Sequence, residues 1–162
     1  MPDDLPSYVQ ISQRDLAAGS RISLKFLRQI VRTTLSIANF GKASEVSLTL
    51  TDDANIRRLN ADYREKDEAT DVLSFALQEG MEMPLPPGMP VPLGDIIVSW
   101  ETIQRQASEH GVDALAELAW AVSHGTLHLL GYDHQTEEQR APMRALEVAV
   151  LDRLSLQKPV LV

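Results

Sequence analysis

The feature that most limits how this chain folds is a histidine cluster near its C-terminus, in the segment HGTLHLLGYDH. His124 and His128 are four residues apart, which places both rings on one face of a helix with about 3.6 residues per turn. Gly131 permits the left-handed turn that ends a helix, and His134 follows on the returning chain. The spacing predicts a helix that breaks beside three converging imidazoles.

Three imidazole ligands that leave one coordination position open are typical of a catalytic zinc site, not of a closed structural one. The chain has no cysteine, so any metal must be held by His, Asp or Glu. An isolated pair of histidines at this spacing is more often buried or capping, but Gly131 and His134 favour a metal. We therefore predict one Zn²⁺ ion held by His124, His128 and His134.

Charge is unevenly distributed along the chain. The formal net charge of −8 argues against general, sequence-independent nucleic-acid binding. Residues 16–44 nevertheless contain no acid and five bases, namely Arg21, Lys25, Arg28, Arg32 and Lys42. The first four, which we call the basic stripe, recur at helical spacing and suggest an anionic partner, although a solvated helix face explains the same pattern.

Hydrophobic periodicity predicts an α+β fold, in which a small mixed β-sheet of about four strands packs with helices and the metal site lies at a helix break near the C-terminus. Strands are expected at residues 7–11, at a sheet edge, and at 46–50, 72–77 and 95–100. The proline-rich residues 84–92 are expected to form a surface loop.

Capping residues mark the expected helices. Ser23 is predicted to cap the first helix, with Leu24 on its inward face, and Thr51 the second, with Tyr63 inward. His110 precedes Gly111, so it suits the C-terminal end of a helix better than a metal site. Thr136 and Gln139 have the spacing of a capping box for the last helix.

Length and composition predict a single domain over residues 1–162, because this length with 44% hydrophobic residues can bury one core. No run approaches the roughly 18 apolar residues that a membrane span requires. The acidic, proline-containing N-terminus does not resemble a secretory signal. A cytoplasmic location is therefore expected.

The histidine spacing resembles that of metzincin proteases, which carry a glutamate directly after the first histidine as general base. In this chain that position is Gly125. Peptide hydrolysis needs a group that accepts a proton and then returns it to the leaving amine. The missing carboxylate therefore disfavours a peptidase.

Three motifs together resemble the bacterial YbeY family and span most of the chain. They are the histidine segment, LNADYREKDEATDVLSF at residues 59–75 and LGDIIVS at 93–99. Ala69 and Ala76 stand where the family often has proline. The resemblance implies a zincin-like sheet and a cytoplasmic, zinc-dependent, single-strand-specific endoribonuclease, acting in maturation of the small-subunit ribosomal RNA three-prime end and in ribosome quality control.

The resemblance also implies partners and site residues. Single-stranded RNA, ribosomal RNA and the ribosome are the expected partners, with contacts to ribosomal proteins or assembly factors, and neither a membrane nor DNA is expected. The three histidines match the family's metal ligands, and Arg64 matches an arginine implicated in its activity. A guanidinium suits two phosphate oxygens, whereas the alternative for Arg64 is a surface salt bridge with Asp67 or Asp71.

Other residues are secondary candidates. Asp133 is expected either to accept the second ring proton of a ligating histidine or to cap the last helix. Contacts with RNA are hypothesised for the basic stripe and for Arg57, Arg58 and Lys66. Attack by water and attack by the RNA 2′-hydroxyl both remain open. So do two other functions, a non-catalytic ribosome assembly factor braced by zinc and a metal-dependent hydrolase of another substrate.

Overall fold

Four strands and five helices make up the part of the chain that the computed structural model describes, residues 6–77 and 85–158. This confirms the predicted α+β class and the strand number. In chain order the elements are β1 (Ser7–Gln13), α1 (Leu24–Ile37), β2 (Ser44–Thr51), α2 (Asp53–Arg64), β3 (Val72–Ala76), β4 (Val91–Ser99), α3 (Trp100–His110), α4 (Ala114–Leu129) and α5 (Glu137–Arg153).

The strands lie in the order β1-β2-β4-β3, so β1 and β3 form the two edges of the sheet. The first three are parallel, and β3 alone runs antiparallel, beside β4. A β1–α1–β2 crossover joins two adjacent parallel strands, as such strands require. The topology leaves β3 with one open edge, and the histidine cluster lies near that edge.

Strand β4 starts earlier than its prolines suggested, which corrects the expected loop over residues 84–92. Val91 and Pro92 already pair with β2, and Pro84 lies outside the described residues. The pairing register shifts between Glu45 and Val46, opposite Pro92, so this irregular position tolerates a residue without an amide hydrogen. Trp100 opens α3 and does not end the strand.

Helices α1 and α4 cover one face of the sheet, with α5 packed behind them, and α2 contacts β4 on the other face. The main core contains fully buried residues from both layers, such as Leu27, Leu48, Ile96 and Leu118. A smaller apolar cluster of Ile56, Leu73 and Ile97 lies under α2. Alternate residues of β4 therefore enter different clusters, as strand geometry requires.

Helix caps were predicted better than helix faces. Ser23 caps α1 as expected, but Thr51 is the last residue of β2, and Asp52 caps α2. Leu24 is 44% exposed and Tyr63 is 67% exposed, so the expectation that both face inward is wrong. Each lies in a terminal turn of its helix.

A candidate metal centre and its cleft

Helix α4 and the turn after it bring the three predicted histidines together. His124 and His128 lie on consecutive turns of α4, and Leu130 is the C-cap of the helix. Gly131 follows with a φ of +98°, a conformation that favours glycine, and the chain returns with His134. One ligand nitrogen from each ring lies within 4.8 Å of the others, so the three can hold one metal ion.

The spacing of these nitrogens fits a zinc ion. The Nε2 atoms of His124 and His128 are 3.2 Å apart. Two nitrogens at zinc-bond lengths of about 2.0–2.1 Å in a tetrahedral site are about 3.3 Å apart. Two of the rings are half-buried and His134 is exposed, so the cluster opens towards solvent. The donors suit zinc, and their exposure leaves access for a substrate.

Burial keeps His128 in the protonation state that a metal ligand needs. Desolvation, followed by the repulsion of His124 and His134, lowers the pKa of His128 to about 4. Its imidazole is therefore neutral at pH 7 and has a free nitrogen lone pair.

A buried carboxylate from α5 fixes the orientation of His124. Glu147 is only 4% exposed. Its Oε1 accepts a hydrogen bond from Nδ1 of His124 at 2.7 Å, and its Oε2 accepts one from Nε1 of Trp120 at 2.9 Å. With the proton held on Nδ1, the lone pair of His124 lies on Nε2, which faces the cluster.

Sequence reasoning missed Glu147 and gave this role to Asp133. In the structure, Oδ1 of Asp133 accepts a hydrogen bond from the backbone N–H of His134 at 2.7 Å. The expectation that Asp133 caps the last helix is wrong, because Thr136 caps α5. A signal for Glu147 did exist, since it shares the buried face of α5 with Met143 and Val150, and a charged residue on such a face needs a partner.

Gly125 packs directly on the sheet. A Cβ atom at this position would lie 2.8 Å from Cγ2 of Ile96 and 3.0 Å from Oγ of Ser74. The Ser74 hydroxyl also donates to the Gly125 carbonyl at 3.3 Å. The position after the first histidine therefore faces β3 and β4 and has no room for a glutamate side chain.

A cleft of about 1420 Å³ extends from the histidine cluster along the open edge of β3. The turn that follows α1 and several residues between 85 and 93 form part of its wall. Three cationic residues and three carboxylates line it, namely Lys42, Arg64, Lys66, Glu68, Asp71 and Asp133. The formal charges of these side chains cancel, so the cleft lacks the general negative charge of the protein.

Arg64 lies in this cleft without a carboxylate partner among the described residues. Its Nη2 donates to the Ser74 carbonyl at 2.7 Å, and its guanidinium lies 5.2 Å from the centroid of the Phe75 ring. Of the two acids expected to pair with it, Asp67 binds Arg57 at 2.8 Å and Asp71 accepts from the Val72 backbone. The salt-bridge alternative for Arg64 is therefore wrong.

The chain as a whole is similar to known proteins. The family model described as endoribonuclease YbeY matches residues 9–155. The chain belongs to the YbeY family. It is 48% identical over 135 residues to endoribonuclease YbeY of Desulforamulus reducens, covering 83% of this chain and 88% of that protein. It is 51% identical over 120 residues to that of Heliobacterium modesticaldum, covering 71% and 72%.

One solved structure has a similar fold. The solution structure of a Thermotoga maritima protein matches 91% of this chain and 91% of its own, with a TM-score of 0.56 and 26% sequence identity. The likeness extends over β-sheet and helices alike, since the match spans nearly the whole chain.

Most of the other basic residues predicted to contact RNA lie outside the cleft. Neither the basic stripe nor Arg57 and Arg58 belong to its lining. Arg32 donates to the Ser7 carbonyl at 3.1 Å, and Arg58 donates to Oδ1 of Asn55 at 2.8 Å. Lys66 and Lys42 do line the cleft. An RNA contact by the stripe therefore stays a prediction for a surface away from the histidines.

His110 lies apart from the cluster, in the last turn of α3. Its Nδ1 is 3.1 Å from a carboxylate oxygen of Glu117, which is 1% exposed. This contact joins the end of α3 to the start of α4 across the turn at Gly111.

None of the described helices is long and apolar enough to cross a membrane.

Proposed function

We propose that this YbeY family member is a zinc-dependent endoribonuclease that cleaves single-stranded RNA. It acts in the cytoplasm on ribosomal RNA, at the three-prime end of the small-subunit RNA, and in ribosome quality control, with ribosomal proteins or assembly factors as further contacts. The observation that carries the proposal is that Arg64, a cation without a carboxylate partner among the described residues, lines the same cleft as His124, His128 and His134.

The residues of the cleft have two roles, binding a metal ion and binding a phosphate. A zinc ion bound by the three histidines would supply a Lewis acid that activates the nucleophile and neutralises charge on the phosphate. The Ser74 carbonyl and the Phe75 ring orient Arg64, which uses one N–H for Ser74 and keeps others for phosphate oxygens. Its fixed charge stabilises the charge that develops on those oxygens during cleavage.

The dimensions and charge of the cleft suit a polymer. Its volume of about 1420 Å³ exceeds the roughly 300–1,000 Å³ that is usual for a small-molecule pocket. Lys42 and Lys66 supply two further cations for neighbouring phosphates. The chain as a whole carries a net charge of −8, whereas the formal charges of the cleft cancel, so the cleft repels a polyanion less than the rest of the surface does.

A peptide substrate fits this edge poorly. Extended peptides bind open sheet edges through backbone hydrogen bonds, and here Arg64 already occupies the Ser74 carbonyl on β3. Gly125 also offers no carboxylate as general base. The two features together favour a phosphodiester over a peptide bond.

The test combines metal analysis with cleavage of single- and double-stranded RNA. Zinc content is measured by elemental analysis for the wild type, His128→Ala and Arg64→Ala, and Arg14→Ala, an exposed arginine at the end of β1, is the matched control. His128→Ala loses both zinc and cleavage. Arg64→Ala keeps zinc but loses cleavage by about 10²–10³-fold, the usual cost of removing one group that stabilises charge in the transition state.

The products distinguish the two routes of attack. A 2′,3′-cyclic phosphate beside the break, together with no cleavage of DNA, indicates attack by the 2′-hydroxyl. A wild-type protein with one zinc per chain that cleaves no RNA would contradict the proposal and indicate a non-catalytic role in ribosome assembly.

A further inference from the structure

Tyr63 is a large aromatic residue that packing does not explain. It lies in the last turn of α2 and is 67% exposed. Its ring meets that of Phe75 edge-to-face, with centroids 5.5 Å apart and an interplanar angle of 65°. Phe75 therefore supports one side of the Tyr63 ring while most of the ring stays in solvent. A tyrosine in this state adds little to the core.

The position of Tyr63 relates it to the cleft. The next residue, Arg64, stacks on the same Phe75 ring and reaches the Ser74 carbonyl on the open edge of β3. Both Arg64 and Ser74 line the cleft that contains the histidine cluster. Tyr63, Phe75 and Arg64 thus form a continuous patch, which we call the aromatic edge. It begins where the cleft holds its phosphate-binding cation.

We propose that Tyr63 is a stacking platform for one base of the RNA strand, next to the phosphate that Arg64 binds. The proposal rests on the endoribonuclease function given above. Tyr63 and Arg64 are consecutive, so their Cα atoms are about 3.8 Å apart, and a base and its neighbouring phosphate can meet both side chains. Base stacking on an exposed aromatic ring is a common means of binding single strands without sequence readout.

The same geometry gives a physical basis for preferring single strands. In a duplex both faces of each base are covered by neighbouring base pairs, and freeing one costs unstacking energy. An unpaired base has a free face and stacks at no such cost. The aromatic edge therefore binds a flexible strand better than a helical one, even though both carry phosphates for Arg64 to bind.

The test uses steady-state cleavage of a short single-stranded RNA by the zinc-loaded protein. Tyr63→Ala raises KM between about 5-fold and about 150-fold, the range expected for loss of one base–aromatic stack. Tyr63→Phe keeps the ring and stays within about two-fold of the wild type. Tyr8→Ala is the matched control, because Tyr8 is also exposed, at 53%, but lies on β1 at the opposite edge of the sheet.

A second substrate series separates stacking from a structural role. An abasic ribonucleotide is placed in turn at each position around the cut. At one position the abasic substrate raises the KM of the wild type as much as Tyr63→Ala raises the KM for the intact substrate. At that position it raises the KM of Tyr63→Ala no further, because both changes remove the same contact. The thermal unfolding temperature of Tyr63→Ala equals that of Tyr8→Ala, as expected if the ring has no structural role.

Three outcomes would overturn the stacking platform. In the first, the wild type cleaves RNA and Tyr63→Ala has an unchanged KM, which leaves the proposed function standing. In the second, the abasic and Tyr63→Ala effects multiply at every position. In the third, Tyr63→Ala unfolds well below Tyr8→Ala, which makes the residue structural. If the wild type cleaves no RNA at all, the proposed function fails and the platform fails with it.

Discussion

Replacing Glu147 with glutamine tests whether α5 tunes the metal site through His124. The carboxylate is 4% exposed and uses both oxygens, at 2.7 Å to Nδ1 of His124 and 2.9 Å to Nε1 of Trp120. Glutamine has the same size but one acceptor oxygen, so one of the two N–H donors must face an NH₂ group. His124 then either loses its acceptor or keeps a neutral amide oxygen in place of the carboxylate, and in both cases the tautomer with a free Nε2 is favoured less.

The expected size of this effect follows from the contact that is lost. A hydrogen bond to a charged group contributes about 1.5–3 kcal/mol, which corresponds to about 10–150-fold in an equilibrium constant. Loss of a carboxylate behind a ligating histidine usually lowers metal affinity by about 10–100-fold. We therefore expect Glu147→Gln to bind zinc about 10–100-fold more weakly, measured by competition with a chelating dye at pH 7.

Glu117→Gln is the matched control. Glu117 is 1% exposed and also pairs with a histidine, His110 at 3.1 Å, but this pair lies outside the metal cluster. The control lowers the free energy of unfolding, because a buried pair is broken, and leaves zinc affinity within about two-fold. Equal zinc affinities for the two variants would refute the argument that Glu147 orients a ligand.

Three further predictions concern the scaffold. Gly125→Ala lowers the free energy of unfolding by about 1–3 kcal/mol, because its Cβ would lie 2.8 Å from Cγ2 of Ile96. Urea titration measures this free energy, and a change below about 0.5 kcal/mol would show that α4 can shift away from the sheet at little cost. Gly94→Ala costs more than about 4 kcal/mol, because its φ is +139° and its Cβ would lie 2.1 Å from the Phe75 carbonyl oxygen; a cooperative thermal transition near that of the wild type would contradict it. Burial raises the pKa of Asp53, but hydrogen bonds from Ser99, Thr102 and Arg105 outweigh it and bring the pKa below 3.8. The stabilisation by ionised Asp53 is therefore present above pH 3.8 and lost as the pH falls through the folded-state pKa. In urea titrations, Asp53→Asn has a lower free energy of unfolding than the wild type at pH 7, and this free energy falls less between pH 7 and pH 3 than it does in the wild type. Equal falls in the two proteins would contradict this prediction.

The histidine cluster was predictable because its geometry is local. Two residues four apart on a helix share a face whatever surrounds them, and a glycine at +98° turns the chain back within a few residues. The capping box at Thr136 and the cap at Ser23 are local in the same sense. Each was confirmed, because no distant part of the chain decides it.

Features that depend on distant residues were not predictable from the sequence. Glu147 contacts His124 only because α5 packs against α4, and Arg64 contacts Ser74 only because β3 is an edge strand. The start of β4 at Val91 depends on its pairing with the distant strand β2, which continues across an irregular register beside Pro92. Tyr63 has the period of a buried helical residue, but it lies in the last turn of α2 and is 67% exposed. Tertiary packing decides all four.

The chemistry of the cleft follows from which way α4 faces. Position 125, directly after the first ligand, contacts Ile96 and Ser74 and so cannot present a proton acceptor to the cleft. What the chain presents is the guanidinium of Arg64, a cation suited to phosphate oxygens. A site that holds a fixed cation and has no proton acceptor directly after its first histidine suits phosphoryl transfer, where positioning and electrostatics provide most of the catalysis. Peptide hydrolysis, by contrast, requires a group that protonates the leaving amine. The packing of one glycine against the sheet is thus what separates this arrangement of histidines from a protease.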